Sequence, residues 1–335
     1  MPNNRNVSSS LKGKKIIITG GLGFIGSNLA HKCLEMGAKV TIYDCLDPRS
    51  GGNLYNIKDI MKDVELVFSD IANFDEISRH IVNKDIMFNC SASTSHPFSM
   101  REPWIDLDVN SRGVINLLES AHRFNRNIKF VHIGTTTQLG KLHYKPADEF
   151  HPEFPTDIYS ANKSASEKYV LIYGSAYQMP VTVVRLPNVF GPKASIHSPE
   201  FTFVNYFIGL ALQDKVISVY GDGSQLRNVL YVDDSVSALI TAAVDEKSNG
   251  EVFFAVGNEH YSVLDISKLI TLHFKKGKVN SVPWPSERKV TEIGDAVISN
   301  KKIKDVLGWE PQCTFESGLD KTKQYFEECL EQYLR

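Results

Sequence analysis

The chain has 335 residues, 42% hydrophobic and 23% charged, enough apolar material for one large or two fused cores. Its formal net charge is −2 and it carries no long basic tract, which argues against generic nucleic-acid binding. Met1 to Lys15 is polar with no leader-like apolar stretch, and no run approaches the ~18 apolar residues of a membrane helix, so a cytoplasmic protein without membrane association is expected. Cys33, Cys45, Cys90, Cys313 and Cys329 are scattered and odd in number, and read as reduced thiols. Neither they nor the ten histidines have metal-type spacing, so no metal site is expected.

Taken in chain order, residues 1–12 read as a mobile tail. Short runs rich in Ile, Val and Phe predict strands over Lys15–Thr19, Lys39–Tyr43, Glu65–Phe68, Ile86–Asn89, Ile128–Ile133 and Val181–Arg185. Helical spacing fills the gaps at Ser27–Met36, Val109–Phe124 and Tyr159–Tyr177. Strands alternating with helices imply a parallel sheet covered on both faces. After Gly191 the pattern loosens, and Pro192, Pro199, Pro283 and Pro285 suggest shorter elements. The expected division is one domain over 13–190, with a returning strand near 251–256, and a smaller lobe over 191–335.

Gly20, Gly23 and Gly26 form Gly-x-x-Gly-x-x-Gly between the first strand and the first helix. Such glycines allow a tight turn, a close approach of backbone to a pyrophosphate, and close helix–strand packing. The helix N-terminus then offers N–H groups and a positive dipole end to phosphates. Asp44, at the end of the second strand, is suited to accept from adenosine ribose hydroxyls and would repel a 2′-phosphate, favouring NAD over NADP. The fold class expected is α/β, a Rossmann-type doubly wound parallel sheet with a smaller C-terminal α/β lobe. Asp70, after the third strand, reads either as an adenine contact or as a helix cap.

Tyr159 and Lys163 are four apart on a predicted helix and so share a face. A free tyrosine has a pKa of about 10. A nearby ammonium would lower it and make Tyr159 a usable general base. The run Gly134-Thr135-Thr136-Thr137-Gln138 follows the fifth strand, at the end where ligands bind in open α/β sheets. The Thr135 hydroxyl is suited to bind the substrate oxygen that exchanges the proton.

In this order, these residues resemble the extended short-chain dehydrogenases/reductases, and within them the nucleotide-sugar epimerases and dehydratases. The resemblance spans nearly the whole chain. It includes Asp108-Val109-Asn110, Arg185-Leu186-Pro187-Asn188-Val189-Phe190-Gly191-Pro192, Tyr220-Gly221-Asp222-Gly223, Arg227-Asn228-Val229-Leu230-Tyr231 and Leu307-Gly308-Trp309-Glu310-Pro311. It implies that Phe24, Ile25, Ile71, Ala92 and Asn110 join Gly20, Gly23, Gly26, Asp44, Asp70, Tyr159 and Lys163 around NAD. It implies that Asn188, Phe203, Val204, Tyr220, Arg227 and Asp295 bind a nucleotide diphosphate, most readily a UDP-sugar. Ser93, Thr94, Ser95 and His96 are expected near the sugar. A homodimer through Val109–Phe124 and Tyr159–Tyr177, and a place in polysaccharide precursor synthesis, are further implications.

Three departures stand out. Glu292 occupies a position where the family often has Arg, with Arg288 one turn away. Leu139 stands where an aromatic is usual. Asn89-Cys90-Ser91-Ala92 replaces a common His-Leu-Ala-Ala. Related dehydratases place Asp-Glu directly after the catalytic Thr, and decarboxylating relatives tend to carry Glu nearby. Here Thr136, Thr137 and Gln138 follow, none a base at neutral pH. The minimal set Thr135, Tyr159 and Lys163 suits epimerisation at C4 through a 4-keto sugar. The alternatives are a 4,6-dehydratase, a 4-ketoreductase, or a non-catalytic NAD-sensing protein.

Overall fold

The computed structural model describes residues 10–334. Most of the expected tail lies outside that range, but Leu11, inside it, is fully buried in the main core. Strand β1 (Lys15–Thr19) leads through the glycine turn into helix α1 (Phe24–Glu35), which begins three residues earlier than its apolar spacing suggests. Strands β2 (Lys39–Asp44) and β3 (Val64–Phe68) follow, then α2 (Phe74–Ile81), whose N-cap is Asn73, accepting from Glu76 N at 3.2 Å. Strand β4 (Ile86–Asn89) precedes two short helices, α3 (His96–Arg101) and α4 (Pro103–Leu107). A π-helical turn over Asp108–Arg112 continues into α5 (Gly113–Phe124). Then come β5 (Lys129–Thr135), α6 (Ile158–Tyr177) and β6 (Val181–Leu186).

These strands join one seven-stranded sheet with a later strand, in the order β3-β2-β1-β4-β5-β6 followed by Glu251–Phe254. All six pairings are parallel. Strands β4 and β6 are buried along their full length, as a sheet covered on both faces requires. The strand order reverses between β1 and β4, where a crevice opens at the carboxyl ends.

The second half continues with β7 (Asn188–Phe190), α7 (Phe203–Leu212), β8 (Val216–Tyr220), β9 (Leu226–Tyr231), α8 (Val232–Val244) and β10 (Glu251–Phe254). It ends with β11 (His260–Ser262), α9 (Val263–Phe274), β12 (Lys278–Val282), α10 (Ser286–Val290), α11 (Lys301–Leu307) and α12 (Phe315–Cys329). Strands β7, β9 and β11 form one small sheet, and β8 and β12 another. The elements here are longer than the prolines suggest: α8 has 13 residues and α12 has 15. Helix α8 packs beside α1 and against β5 and β6, so this half of the chain also covers the main sheet.

Candidate active site

A cavity of about 320 Å³ opens at the strand reversal. It is lined from β1 by Gly20, Gly23, Phe24, Ile25 and Gly26, and from β2 and β3 by Asp44, Asp70 and Ile71. Ala92 lies on its floor, and Thr135, Tyr159, Lys163 and Asn188 on its far wall. The sequence reading reaches Arg49 and, through the segment near Phe201–Val204, Phe201 and Thr202; it missed Asp47, Ser50, Gly51, Gly52, Ala194 and Ser195, from loops that carry no motif, and Asn205, from α7.

The glycine turn is shaped for a ligand. Gly20 has φ +69°, and a Cβ there would lie 2.7 Å from the Cys90 carbonyl carbon. A Cβ on Gly26 would lie 2.3 Å from the Gly20 oxygen. Gly23 caps α1 with no side-chain hydrogen bond, so the first-turn N–H groups carry no side-chain acceptor. The Asp44 carboxylate accepts from Leu22 N at 3.0 Å and Leu46 N at 2.8 Å. Burial raises its pKa, and those two N–H groups oppose the shift. Arg49, the cation close to Asp44 in sequence, is paired with Asp47 at 2.6 Å. This donor set fits NAD: an uncapped helix start for the pyrophosphate and a carboxylate, with no free cation beside it among the described residues, for the ribose.

Asp70 is not the helix cap: its carboxylate accepts from Ala72 N at 2.8 Å while lining the cavity, and Asn73 takes the cap. Asn110 does not line the cavity. It clamps the loop after β4, accepting from Ser93 N at 3.2 Å and donating to the Ser93 carbonyl at 2.8 Å.

Asp157 caps α6, accepting from Ser160 N at 2.8 Å, and so fixes the helix start that carries Tyr159. Ser99 Oγ accepts from Tyr159 N at 3.0 Å. Tyr159 is 8% exposed. Burial pushes its phenol well above the ordinary value, a hydrogen bond with Thr135 works against that, and Asp106 and Asp157 add to it. The expected lowering by Lys163 is therefore not what the protein's own groups produce. Lys163 Nζ instead donates to the Ile133 carbonyl at 2.6 Å and lies 3.3 Å from His132 Nε2. Burial lowers Lys163 to about 8, opposed by the charges of Glu167 and Asp106. His132 is pushed well below its usual value by burial and by Lys163. It also meets Asn89 at 3.1 Å, and Asn89 accepts from Thr19 Oγ1 at 2.9 Å. Asn89 thus belongs to a buried chain that ends on Lys163.

Thr135, Thr137 and Ser160 form a hydroxyl cluster, with Oγ separations of 3.0 and 3.1 Å. Gln138 turns away from the cavity: it is fully buried and donates to Glu167 Oε2 at 2.9 Å. Glu167 also binds buried Arg185, at 2.6 and 2.8 Å. Leu139 likewise leaves the cavity and packs in a small core with Ala147, Phe254, Val256 and Ile298. Neither side chain lines the cavity.

Five expected substrate residues lie outside the cavity lining. Val204 is fully buried in the core, and Phe203 packs against Phe207 at 5.4 Å between centroids. Tyr220 packs on Trp284 at 5.4 Å. Arg227 donates to Glu292 Oε1 at 2.7 Å and to the Gly294 carbonyl at 2.5 Å. Asp295 pairs with Lys145 at 2.7 Å and accepts from Leu226 N at 3.0 Å. Glu292, the departure from the family pattern, is what engages Arg227.

Among the described residues no helix is long and apolar enough to cross a membrane. The family model described as GDP-mannose 4,6 dehydratase matches residues 17–322. A UDP-N-acetyl-alpha-D-glucosaminuronate decarboxylase of Bacillus cytotoxicus is 31% identical over 327 residues, spanning 94% of this chain and 98% of the relative. The UDP-glucose 4-epimerase of Thermotoga maritima, solved with UDP-glucose, has a TM-score of 0.85 and 28% identity, covering 94% of this chain and 99% of its own. The dTDP-glucose 4,6-dehydratase of Bacillus anthracis, solved with NAD, has a TM-score of 0.83 and 29% identity, covering 96% and 99%. With the glycine turn, the Asp44 carboxylate and the Tyr159–Lys163 helix all at the strand reversal, the chain belongs to the GDP-mannose 4,6 dehydratase family of NAD-dependent nucleotide-sugar epimerases, dehydratases and decarboxylases.

Proposed function

We propose that this protein epimerises a nucleotide-diphosphate sugar at C4, with a UDP-sugar as the preferred class. One observation carries the choice of reaction. The carboxylates lining the cavity are Asp44, Asp47 and Asp70, all at the β2–β3 end, and none stands beside Thr135 and Tyr159. Elimination of water needs, besides a base at the carbon beside C4, an acid placed to protonate the departing hydroxyl. Thr136 and Thr137, which follow Thr135 into the cavity, are not such acids.

Gly20, Gly23, Gly26, Phe24, Ile25, Asp44, Asp70, Ile71 and Ala92 would hold the dinucleotide, with Lys163 toward its nicotinamide half. Bound NAD supplies a reversible hydride acceptor for C4 and a positive charge, with no net consumption over a cycle. Thr135 holds the sugar 4-oxygen by its hydroxyl. Tyr159 takes the proton from that oxygen and later gives it back. Burial, with the charges of Asp106 and Asp157, raises the phenol against a hydrogen bond with Thr135, so cationic charge added to the site would favour the phenolate and make Tyr159 a stronger base. Between the two proton transfers the 4-keto sugar turns about its bonds to the diphosphate, for which Asn188 is the contact in the cavity wall.

The test is to give the purified protein UDP-glucose, UDP-N-acetylglucosamine, UDP-glucuronate and dTDP-glucose and identify products by NMR. The 4-epimer of at least one donor is expected. Loss of water or carbon dioxide, or stoichiometric consumption of NADH, overturns the reading. The homodimer is proposed on the face of α5 and α6, which pack together and leave Phe124 and Ile172 half exposed. Sedimentation of the wild type against Ile172→Glu tests it.

A further inference from the structure

Next to Tyr159 the cavity wall holds a histidine paired with a carboxylate. His96 lines the cavity, with its Nδ1 2.6 Å from Asp157 Oδ2. The His96 side chain is 35% exposed, whereas that of Asp157 is 5% exposed. The imidazole stands edge-on to the Tyr159 ring, with centroids 4.8 Å apart and planes at 73°. Ser99 Oγ donates to the His96 carbonyl at 2.8 Å and accepts from Tyr159 N, so one hydroxyl ties both residues' backbones together. Since Nδ1 is engaged by Asp157, Nε2 is the nitrogen left for a ligand, and it has no hydrogen-bond partner among the described residues.

A carboxylate that fixes the tautomer of a histidine, whose other nitrogen faces a pocket, is the arrangement of an oriented acid–base. Burial would raise the Asp157 carboxyl, but hydrogen bonds from His96 and Ser160 outweigh it and keep the group below its usual range. The same carboxylate caps α6, so the element that places Tyr159 also places His96.

We infer that His96, oriented by Asp157, is a second catalytic acid–base that acts on a ring carbon adjacent to C4. The inference rests on the proposed function, because the 4-ketone is what makes the C3 and C5 hydrogens acidic. Nε2 takes the proton from C3 or C5. The C–H electron pair becomes a carbon–carbon double bond and the carbonyl pair moves to O4, which the protonated Tyr159 hydroxyl stabilises by donating a hydrogen bond. Return of a proton from Nε2 to the same carbon restores the ketone. No electrons are gained or lost in this step. Because the imidazole N–H exchanges with water, the carbon regains a solvent proton.

The experiment is run in D2O with the NAD-loaded protein and UDP-glucose, UDP-N-acetylglucosamine, UDP-glucuronate and dTDP-glucose, following the NADH transient and ring deuterium together. Deuterium is expected at C3 or C5 of the recovered sugar. In His96→Gln the ratio of ring exchange to NADH formed falls about 100-fold, the usual worth of a general base. Asp157→Asn keeps a capping side chain and hence the fold. It is expected to lower the same ratio about 10-fold, while ring ¹⁵N NMR of the protein alone shows loss of the Nδ1–H tautomer of His96. An NADH transient without ring deuterium, or ring exchange unchanged in His96→Gln, overturns the inference and leaves the C4 reading standing. No NADH transient with any of the four donors overturns the C4 reading and the inference with it.

Discussion

The two ends of the cavity are built from different parts of the chain. At the β1–β2 end the shaping is done by backbone: a left-handed Gly20, a Gly26 too close to the turn for any side chain, and N–H groups of Leu22 and Leu46 on Asp44. At the β5–α6 end it is done by side chains whose protonation is shifted mainly by burial: Tyr159 raised, Lys163 lowered to about 8, His132 lowered by burial and by Lys163. The backbone end has little freedom in sequence and, on the proposed function, serves binding. The side-chain end, with its protonation shifted by burial, serves chemistry on the same proposal. Changes at the two ends should therefore separate binding from turnover.

The largest effect is expected at the side-chain end. Tyr159→Phe should cut turnover by about 10³-fold or more, as removal of a general acid–base does, while bound NAD, released by heat and quantified, stays near wild type. Loss of NAD in this variant would mean the two ends are not separable. Gly26→Ala should do the opposite. Its Cβ would meet the Gly20 oxygen at 2.3 Å, so NAD occupancy should fall and the protein should lose about 1–3 kcal/mol in urea titration.

Lys163 gives the sharpest sign. Its folded pKa is about 8 against an ordinary value of 10.5, so between those values the unfolded chain binds more protons and stability rises with pH. Below pH 8 the charged amine is a burden on the fold. Lys163→Met should therefore be more stable than wild type at pH 7, on the order of 1–3 kcal/mol, and the advantage should shrink from pH 8 to 10.5. Its activity should be lost. Destabilisation at pH 7 in the absence of ligand would show that the bond to the Ile133 carbonyl outweighs burial. The smallest effect is expected at Arg227, because Glu292 and Gly294 already engage its guanidinium. Arg227→Ala should move KM by no more than about 5-fold, or ~1 kcal/mol. A larger rise would mean that substrate draws Arg227 away from Glu292.

The same contrast explains what was legible in the sequence. The glycine turn, the strand-end Asp44 and the Tyr159–Lys163 spacing are local: each follows from turn geometry or helical periodicity over a few residues. The direction of Gln138 and Leu139 is not local. It is decided by Glu167 on α6 and by Phe254 on β10, which are close only in the folded sheet. The engagement of Arg227 by Glu292 joins residues 65 apart, and the His96–Asp157 pair joins residues 61 apart. Spacing along the chain carries no signal for either. The lobe after Gly191 was read as loose because its prolines lie in loops, while α8 and α12 are uninterrupted by them.

The most direct measurement of the central claim uses UDP-glucose carrying deuterium at C4, or whichever of the four donors turns over, labelled likewise. If Tyr159 moves its proton at one oxygen and the hydrogen of C4 leaves and returns to C4, NMR will find the 4-epimer with the label still on C4. Label found on C6 with loss of water, or label lost from the sugar altogether, would contradict it.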